Sequence, residues 1–311
     1  MTLLYCDPRF LNHETGQHPE CADRLRQVVA RLDQAGLISQ CVRPTWEPAS
    51  RERLERVHPP AHIDSVVALA KRGGGMFDAD TVVCPASADV ALLGVGAACD
   101  AVHRVLAGED KTALCLVRPP GHHALANRAM GFCLFANAAV AAHVALAEHK
   151  LDRVLIVDWD VHHGNGTQDL FYGSSRVGFF SAHRWPFYPG TGAVEETGTG
   201  DGLGRTRNVP VTFGTPRETY RDRFRREFED FAARIRPQLV LISAGFDAHR
   251  LDPIGSLGLE TEDYAELTKL VREAAAVHAG GRVVSLLEGG YNPPVLAECV
   301  ETHLRGLMQP T

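Results

Sequence analysis

A chain of 311 residues with 45% hydrophobic and 23% charged side chains can bury one large core, and it is too apolar to be disordered. A formal charge of -6, with no run of Lys or Arg, argues against a nucleic-acid-binding surface. Eight cysteines lie scattered without a Cys-x-x-Cys pair, which argues against a thiolate zinc site or a redox motif and reads as reduced, cytoplasmic thiols.

The amino terminus, MTLLYCDPRF, has no basic start followed by an apolar segment, so it does not read as a secretory signal. Residues 129–147, AMGFCLFANAAVAAHVALA, carry no formal charge over a length that could span a bilayer. Asn137, His143 and Gly131 interrupt that stretch, and alanine is only weakly apolar. The segment therefore predicts a buried helix from about Asn137, preceded by a loop, and no membrane partner.

Short apolar, β-rich runs recur along the chain: ALCLV (113–117), VLIV (154–157), VGFFS (177–181), LVLIS (239–243) and VVSLL (283–287). Apolar on both faces, they read as buried parallel strands. Helical periodicity fills residues 137–149, 217–234, 261–279 and 293–307, the third opened by Thr261-Glu262-Asp263. This alternation predicts an α/β fold, a mostly parallel central sheet between helical layers. No repeat or linker divides the chain, so 1–311 reads as one domain. GTGDGLG (198–204) reads as a surface loop: no Gly-Lys-Ser/Thr follows it, and strand-like NVPVTF resumes soon after.

In open α/β sheets, ligands bind beyond the carboxyl ends of the strands. Four strands here discharge polar residues in that direction. ALCLV leads to RPPGHHA with His122 and His123, VLIV to DWDVHHGNG, LVLIS to AGFDAH with Asp247, and VVSLL to EGGYN with Tyr291. In D-x-D-x-H, alternate side chains of an extended segment share one side, so Asp158, Asp160 and His162 can face a common centre. With Asp247 from another strand, two carboxylates and an imidazole suit zinc and leave a coordination position for water and substrate. Iron tolerates the same donors. Asp158 is either a ligand or the acceptor that orients a histidine. One of His122 and His123 can then act as general base and acid while the other supplies charge. Tyr291 can donate a hydrogen bond to a developing oxyanion.

RPPGHHA, VDWDVHHGNGT, SAGFDAHRLDP and LEGGYN, together with the early HETGQHPECADRL, resemble the zinc-dependent histone deacetylase family, including its bacterial amidohydrolases. The resemblance implies an arginase/deacetylase-type fold and zinc-dependent hydrolysis of an acyl amide by metal-activated water. It implies one catalytic zinc held by Asp160, His162 and Asp247. His123 is then the general base and acid, His122 an electrostatic partner held by Asp158, and Tyr291 the group that polarises the carbonyl. A structural potassium is implied for Asp158, Asp160, His162, Ser181 and Ala182. The substrate tunnel is implied for Gly131, Phe132, Tyr188 and Ile254. Asn165, where one branch has aspartate, and LEGGYN point to the class II branch. Tyr291 stands where some members of that branch carry histidine, which implies robust activity on acetyl groups.

The loop DADTVVCPAS has no aspartate directly before Cys-Pro; Asp80 lies earlier. Ile254 stands where some acetylpolyamine hydrolases have a selective glutamate. The expected substrate is an N-acyl-lysine or a similar acylated amine, with an acetylpolyamine as the alternative and the oligomeric state open. A dimanganese arginase-like hydrolase and a non-catalytic acyl-lysine binding module are the competing readings.

Overall fold

The computed structural model describes residues 2–310. In chain order the strands are β1 (Leu3–Tyr5), a β2/β3 hairpin (Gly75–Met76 and Val82–Val83), β4 (Thr112–Cys115), β5 (Val154–Asp158), β6 (Val177–Arg184), β7 (Thr206–Val211), β8 (Leu239–Ala244) and β9 (Val283–Leu287). The helices are α1 (Asp23–Gln34), α2 (Arg51–Glu55), α3 (Pro60–Lys71), α4 (Ser87–Ala107), α5 (Asn137–Ala147), α6 (Asn165–Phe171), α7 (Arg217–Ile235), α8 (Thr261–His278) and α9 (Pro293–Met308).

Seven of the strands form one parallel sheet in the order β1-β4-β9-β8-β5-β6-β7. Strands β4, β5, β8 and β9 are buried at every position, as strands covered on both faces must be. One helical layer runs through α1, α9, α8 and α7, and the other through α3, α4, α5 and α6. After β5 the chain steps outward through β6 and β7, then returns to place β8 on the opposite side of β5. That reversal opens a crevice at the strand ends. The four strands whose following residues carry the candidate chemistry, β4, β9, β8 and β5, are consecutive in the sheet, so their ends meet there.

Helix α7 shows how the layers lock. Tyr220, Phe224, Phe228, Phe231 and Ile235 recur at helical spacing and are buried, and the rings of Phe224 and Phe228 meet Phe180 of β6 at 5.1 and 5.5 Å.

Several expectations shift in detail. The uncharged segment 129–147 is a loop followed by buried α5, as the polar interruptions imply. The one described helix long and apolar enough to cross a bilayer is α4, and 67% of its most apolar window is buried inside the fold. At α8 the cap is Glu260, one residue before Thr261: its side chain accepts from the backbone of Asp263, whose side chain accepts from the Glu260 N–H. The glycine-rich segment is a surface loop, as expected, with Leu203 68% exposed, and it folds tightly on itself. A Cβ on Gly198 would lie 2.0 Å from the Gly202 carbonyl oxygen.

Candidate metal centre and active site

Strand β5 ends at Asp158, and the next residues turn away from the extended path. Asp160 and His162 therefore do not converge by strand alternation, as the D-x-D-x-H spacing suggests. A bend brings them together, closed by the His162 N–H donating to Asp160 Oδ1 at 2.9 Å. Asp247, from the loop after β8, accepts from the Val161 N–H at 2.8 Å and so joins the bend. His162 Nδ1 stands 3.0 Å from Asp160 Oδ1 and 3.1 Å from Asp247 Oδ2. One donor atom from each of Asp160, His162 and Asp247 lies within 4.8 Å of the others, and all three residues are buried.

Glycines make room for these carboxylates. A Cβ on Gly245 would lie 2.2 Å from Asp160 Oδ2, and one on Gly289 would lie 2.4 Å from Asp247 Oδ2 and 2.5 Å from Asp160 Oδ2. A Cβ on Gly164 would lie 2.2 Å from Asp158 Oδ2. The Gly289 N–H donates to Asp160 Oδ2 at 2.8 Å.

The cluster concentrates acidic groups away from solvent. Asp158, Asp160, Asp247 and Glu288 are fully buried, and among the described residues no Lys or Arg side chain pairs with any of them. Burial, reinforced by Asp160, pushes the Asp247 carboxyl up to about 7. Burial also opposes ionisation of Asp160, yet His122 and His162 outweigh it and hold that carboxyl well below its usual range. At His162 burial disfavours charge, but the Asp160 and Asp247 carboxylates win and raise the imidazole to about 9. Two carboxylates and one imidazole nitrogen converging in a dry pocket fit a divalent ion of zinc type, which takes such nitrogen and oxygen donors.

The two neighbouring imidazoles are tuned apart. His122 Nδ1 donates to Asp158 Oδ2 at 3.0 Å, and its Nε2 is 3.9 Å from Asp160 Oδ2. Burial works against its charge, but Asp158 and Asp160 raise His122 well above the ordinary value. His123 goes the other way: burial, with His122 and His162 nearby, drives it well below the ordinary value. Its Nδ1 is 2.7 Å from Asn165 Oδ1. An amide oxygen only accepts, so Nδ1 carries the proton and Nε2 keeps a lone pair. Divergent neighbours of this kind separate the proton-transfer group from the charge-bearing one.

Above them lies a narrow cavity of about 210 Å³ lined by Asp80, His123, Gly131, Phe132, His162, Phe187, Tyr188, Ile254 and Tyr291. Phe132 and Tyr291 meet edge to face at 5.7 Å, and Tyr188 stands edge-on to His123 at 5.2 Å. Tyr188 and Ile254 are 40% and 37% exposed, which puts both at the mouth. Gly131 and Phe132 adopt positive φ of 56° and 69°. A Cβ on Gly131 would lie 2.5 Å from the His123 ring, and the Phe132 N–H donates to Thr81 Oγ1 at 3.1 Å. Burial raises the Tyr291 phenol well above its ordinary value, so it remains a donor. Ser181 lies opposite Asp158 in the ladder between β5 and β6, with Ala182 next along the strand.

Other residues at the site escape motif reading. Phe187 stacks on His162 at 5.2 Å with 16° between planes. Asp252 Oδ2 accepts from the Tyr291 N–H at 2.6 Å. Buried Arg24 donates to the carbonyls of Gly290 and Glu288 at 2.6 and 2.5 Å, and its guanidinium lies 5.1 Å from the Tyr291 ring. Glu20, between Arg24 and Arg118, completes this support. Arg24 and Glu20 sit at i,i+4 in HPECADR, and that spacing was the available signal.

Fold and site together define an α/β protein of the arginase/deacetylase type, with a buried Asp-His-Asp centre at the ends of its central strands. The histone deacetylase domain matches residues 18–307. A histone deacetylase-like amidohydrolase of Pseudomonas aeruginosa is 41% identical over 91% of this chain and 74% of that protein. The human polyamine deacetylase HDAC10 is 41% identical over 96% of this chain and 46% of its own length. The crystal structure of the HDA15 HD domain superposes with a TM-score of 0.94 at 38% identity, covering 98% of this chain and 87% of that one. The chain belongs to the histone deacetylase family.

Proposed function

We propose that the protein is a zinc-dependent amidohydrolase that removes acetyl or other short acyl groups from N-acyl-lysine or a similar acylated amine. The observation that carries this reading is the pairing, beneath one narrow cavity, of the Asp160, His162 and Asp247 donors with His122 bonded to Asp158 and His123 bonded to Asn165. Zinc held by those three side chains would supply Lewis acidity and make a water molecule acidic near neutral pH.

The chain's own residues supply the rest. Aromatic walls at Phe132, Phe187 and Tyr188 admit an unbranched acyl-amine stem and exclude bulk water. His123 Nε2 takes the proton from the attacking water and returns it to the leaving amine nitrogen. His122, kept charged by Asp158, stabilises negative charge without giving up its proton. The Tyr291 hydroxyl donates to the amide oxygen as charge develops there. Asp158, Asp160, His162, Ser181 and Ala182 are assigned a structural potassium, for which carboxylate, hydroxyl and carbonyl oxygens are hard donors.

A second reading, an acetylpolyamine hydrolase, is supported by Asp80 on the cavity wall, with Asp78 two residues away. Ile254 at the mouth, where an acid would select a cation, favours the first. A panel of acetyl-lysine peptides, acetylspermidine and small acetamides decides between them, run on chelated protein with and without added zinc. Zinc-restored turnover of acetyl-lysine peptides is expected; no turnover of any acyl amide would reject the reading.

A further inference from the structure

Loop RPPGHH leaves β4 with two prolines, which have no N–H, so after Arg118 the next backbone donors are those of Gly121 and His122. Both residues are buried, and a buried N–H needs an acceptor. Both donate to the same atom, Glu288 Oε2, at 2.7 and 3.2 Å. Glu288 follows β9, the sheet neighbour of β4, so the contact ties the ends of two adjacent strands. The far side of the loop is closed as well. A Cβ on Gly121 would lie 2.6 Å from the Asn137 nitrogen, and Asn137 Nδ2 donates to the Pro119 carbonyl at 3.2 Å.

We propose that Glu288 is a positioning residue for hydrolysis, clamping the Gly121 and His122 amides and so setting where both imidazoles stand beside the metal centre. The proposal rests on the deacetylase reading above. His122 is held at three points, its backbone by Glu288, its loop by Asn137 and its ring by Asp158. Release of the first would shift the Nε2 of His122 relative to Asp160 and carry His123 along with it. The Oε1 of Glu288 is buried and has no hydrogen-bond partner among the described residues. Two amides alone could be satisfied by a carbonyl oxygen. A side-chain oxygen reaching in from the end of β9 instead couples the loop to the neighbouring strand end.

The test compares full-length, zinc-loaded wild type with Glu288→Ala, Glu288→Gln and Glu288→Asp on an acetyl-lysine peptide, alongside histidine-¹⁵N NMR of each protein. A displacement of about 1 Å costs roughly a hundredfold in rate. Glu288→Ala is thus expected to lose roughly 10- to 100-fold in kcat with KM within about threefold. Its His122 Nδ1–H resonance is expected to move while zinc stoichiometry stays constant. Glu288→Gln keeps an acceptor oxygen and recovers most of the kcat.

Wild-type kcat in Glu288→Ala overturns the proposal, as does an equal loss in the Ala and Gln variants with an unmoved His122 signal. If Glu288→Ala does not fold, Glu288→Asp, whose oxygen is drawn back by one methylene, decides the matter. A kcat loss at unchanged KM supports the clamp, and unchanged kcat refutes it. The NMR arm needs no turnover, so inactivity of the wild type on acyl amides would sink the deacetylase reading while the His122 shift still reports on Glu288.

Discussion

Tyr291 is held from three directions: its backbone N–H by Asp252, its ring by Phe132 and the Arg24 guanidinium, and its turn by the carbonyls that Arg24 grips. Such support fixes a hydroxyl for a transient charge, and Tyr291→Phe removes that donor without emptying the site. Turnover of an acetyl-lysine peptide is expected to fall roughly 10²- to 10³-fold, with zinc content by metal analysis unchanged. Gly245 tests the centre itself, because a methyl group there would collide with Asp160 Oδ2 and the Asp160 Cα. Gly245→Ala is expected to weaken zinc binding, read by competition with a chromogenic chelator; wild-type affinity would show that Asp160 can move aside. At this scale the sequence was most informative. His122, His123, Asp158, Asp160, His162 and Asp247 are chemical types that a core strand has no use for. Phe187 and Glu288 were not legible, since an aromatic beside a tyrosine and an acid after an apolar strand both have ordinary explanations.

Helix α1 is joined to the active-site strands by a buried ionic network. Glu20 Oε1 accepts from Arg24 at 3.0 Å and from Arg118 at 2.5 Å, while Oε2 accepts from Arg118 at 2.7 Å. Burial opposes the Glu20 charge, but Arg118, then His13 and Arg24, hold its carboxyl down at about 2. A carboxyl ionising more readily in the folded state stabilises that state above its unfolded value of 4.5, and the contribution is lost as pH falls from there toward 2. Its size is on the order of 3 kcal/mol. Denaturation of wild type and Glu20→Gln across pH 2 to 7 is therefore expected to show a gap at neutral pH that closes on acidification. A constant gap would place the effect in packing rather than charge.

Among the elements, the long amphipathic α7 and α8 were readable from periodicity. Strand β1 has three residues, too few to show a period, and α4 is rich in alanine and glycine and buried over most of its surface, so no polar face marks it. The turn after β5 was misread as extended because alternation and a tight bend bring the same residues to one side.

Across the whole molecule, the concentration of buried carboxylates at the strand ends predicts that stability rises when a cation binds there. A ligand that binds only the folded state adds about 4 kcal/mol when its free concentration is a thousand times Kd. Chelation is expected to lower Tm by roughly 5 °C or more, and stoichiometric zinc to restore it. An unchanged melting curve would mean that the Asp160, His162 and Asp247 group holds no ion.

The sequence by itself determined the α/β alternation, the parallel sheet and the identities of the site's ionisable groups. Those follow from local pattern and chemical type, which each segment carries alone. Only the tertiary structure decided that β4, β9, β8 and β5 lie side by side, and that glycines 245 and 289 clear space for carboxylates more than 40 residues away. It also decided that Asp158 and Asp160 raise the His122 imidazole while burial, with His122 and His162 nearby, lowers that of His123. Strand order and side-chain environment depend on contacts between distant segments, and no local pattern encodes them.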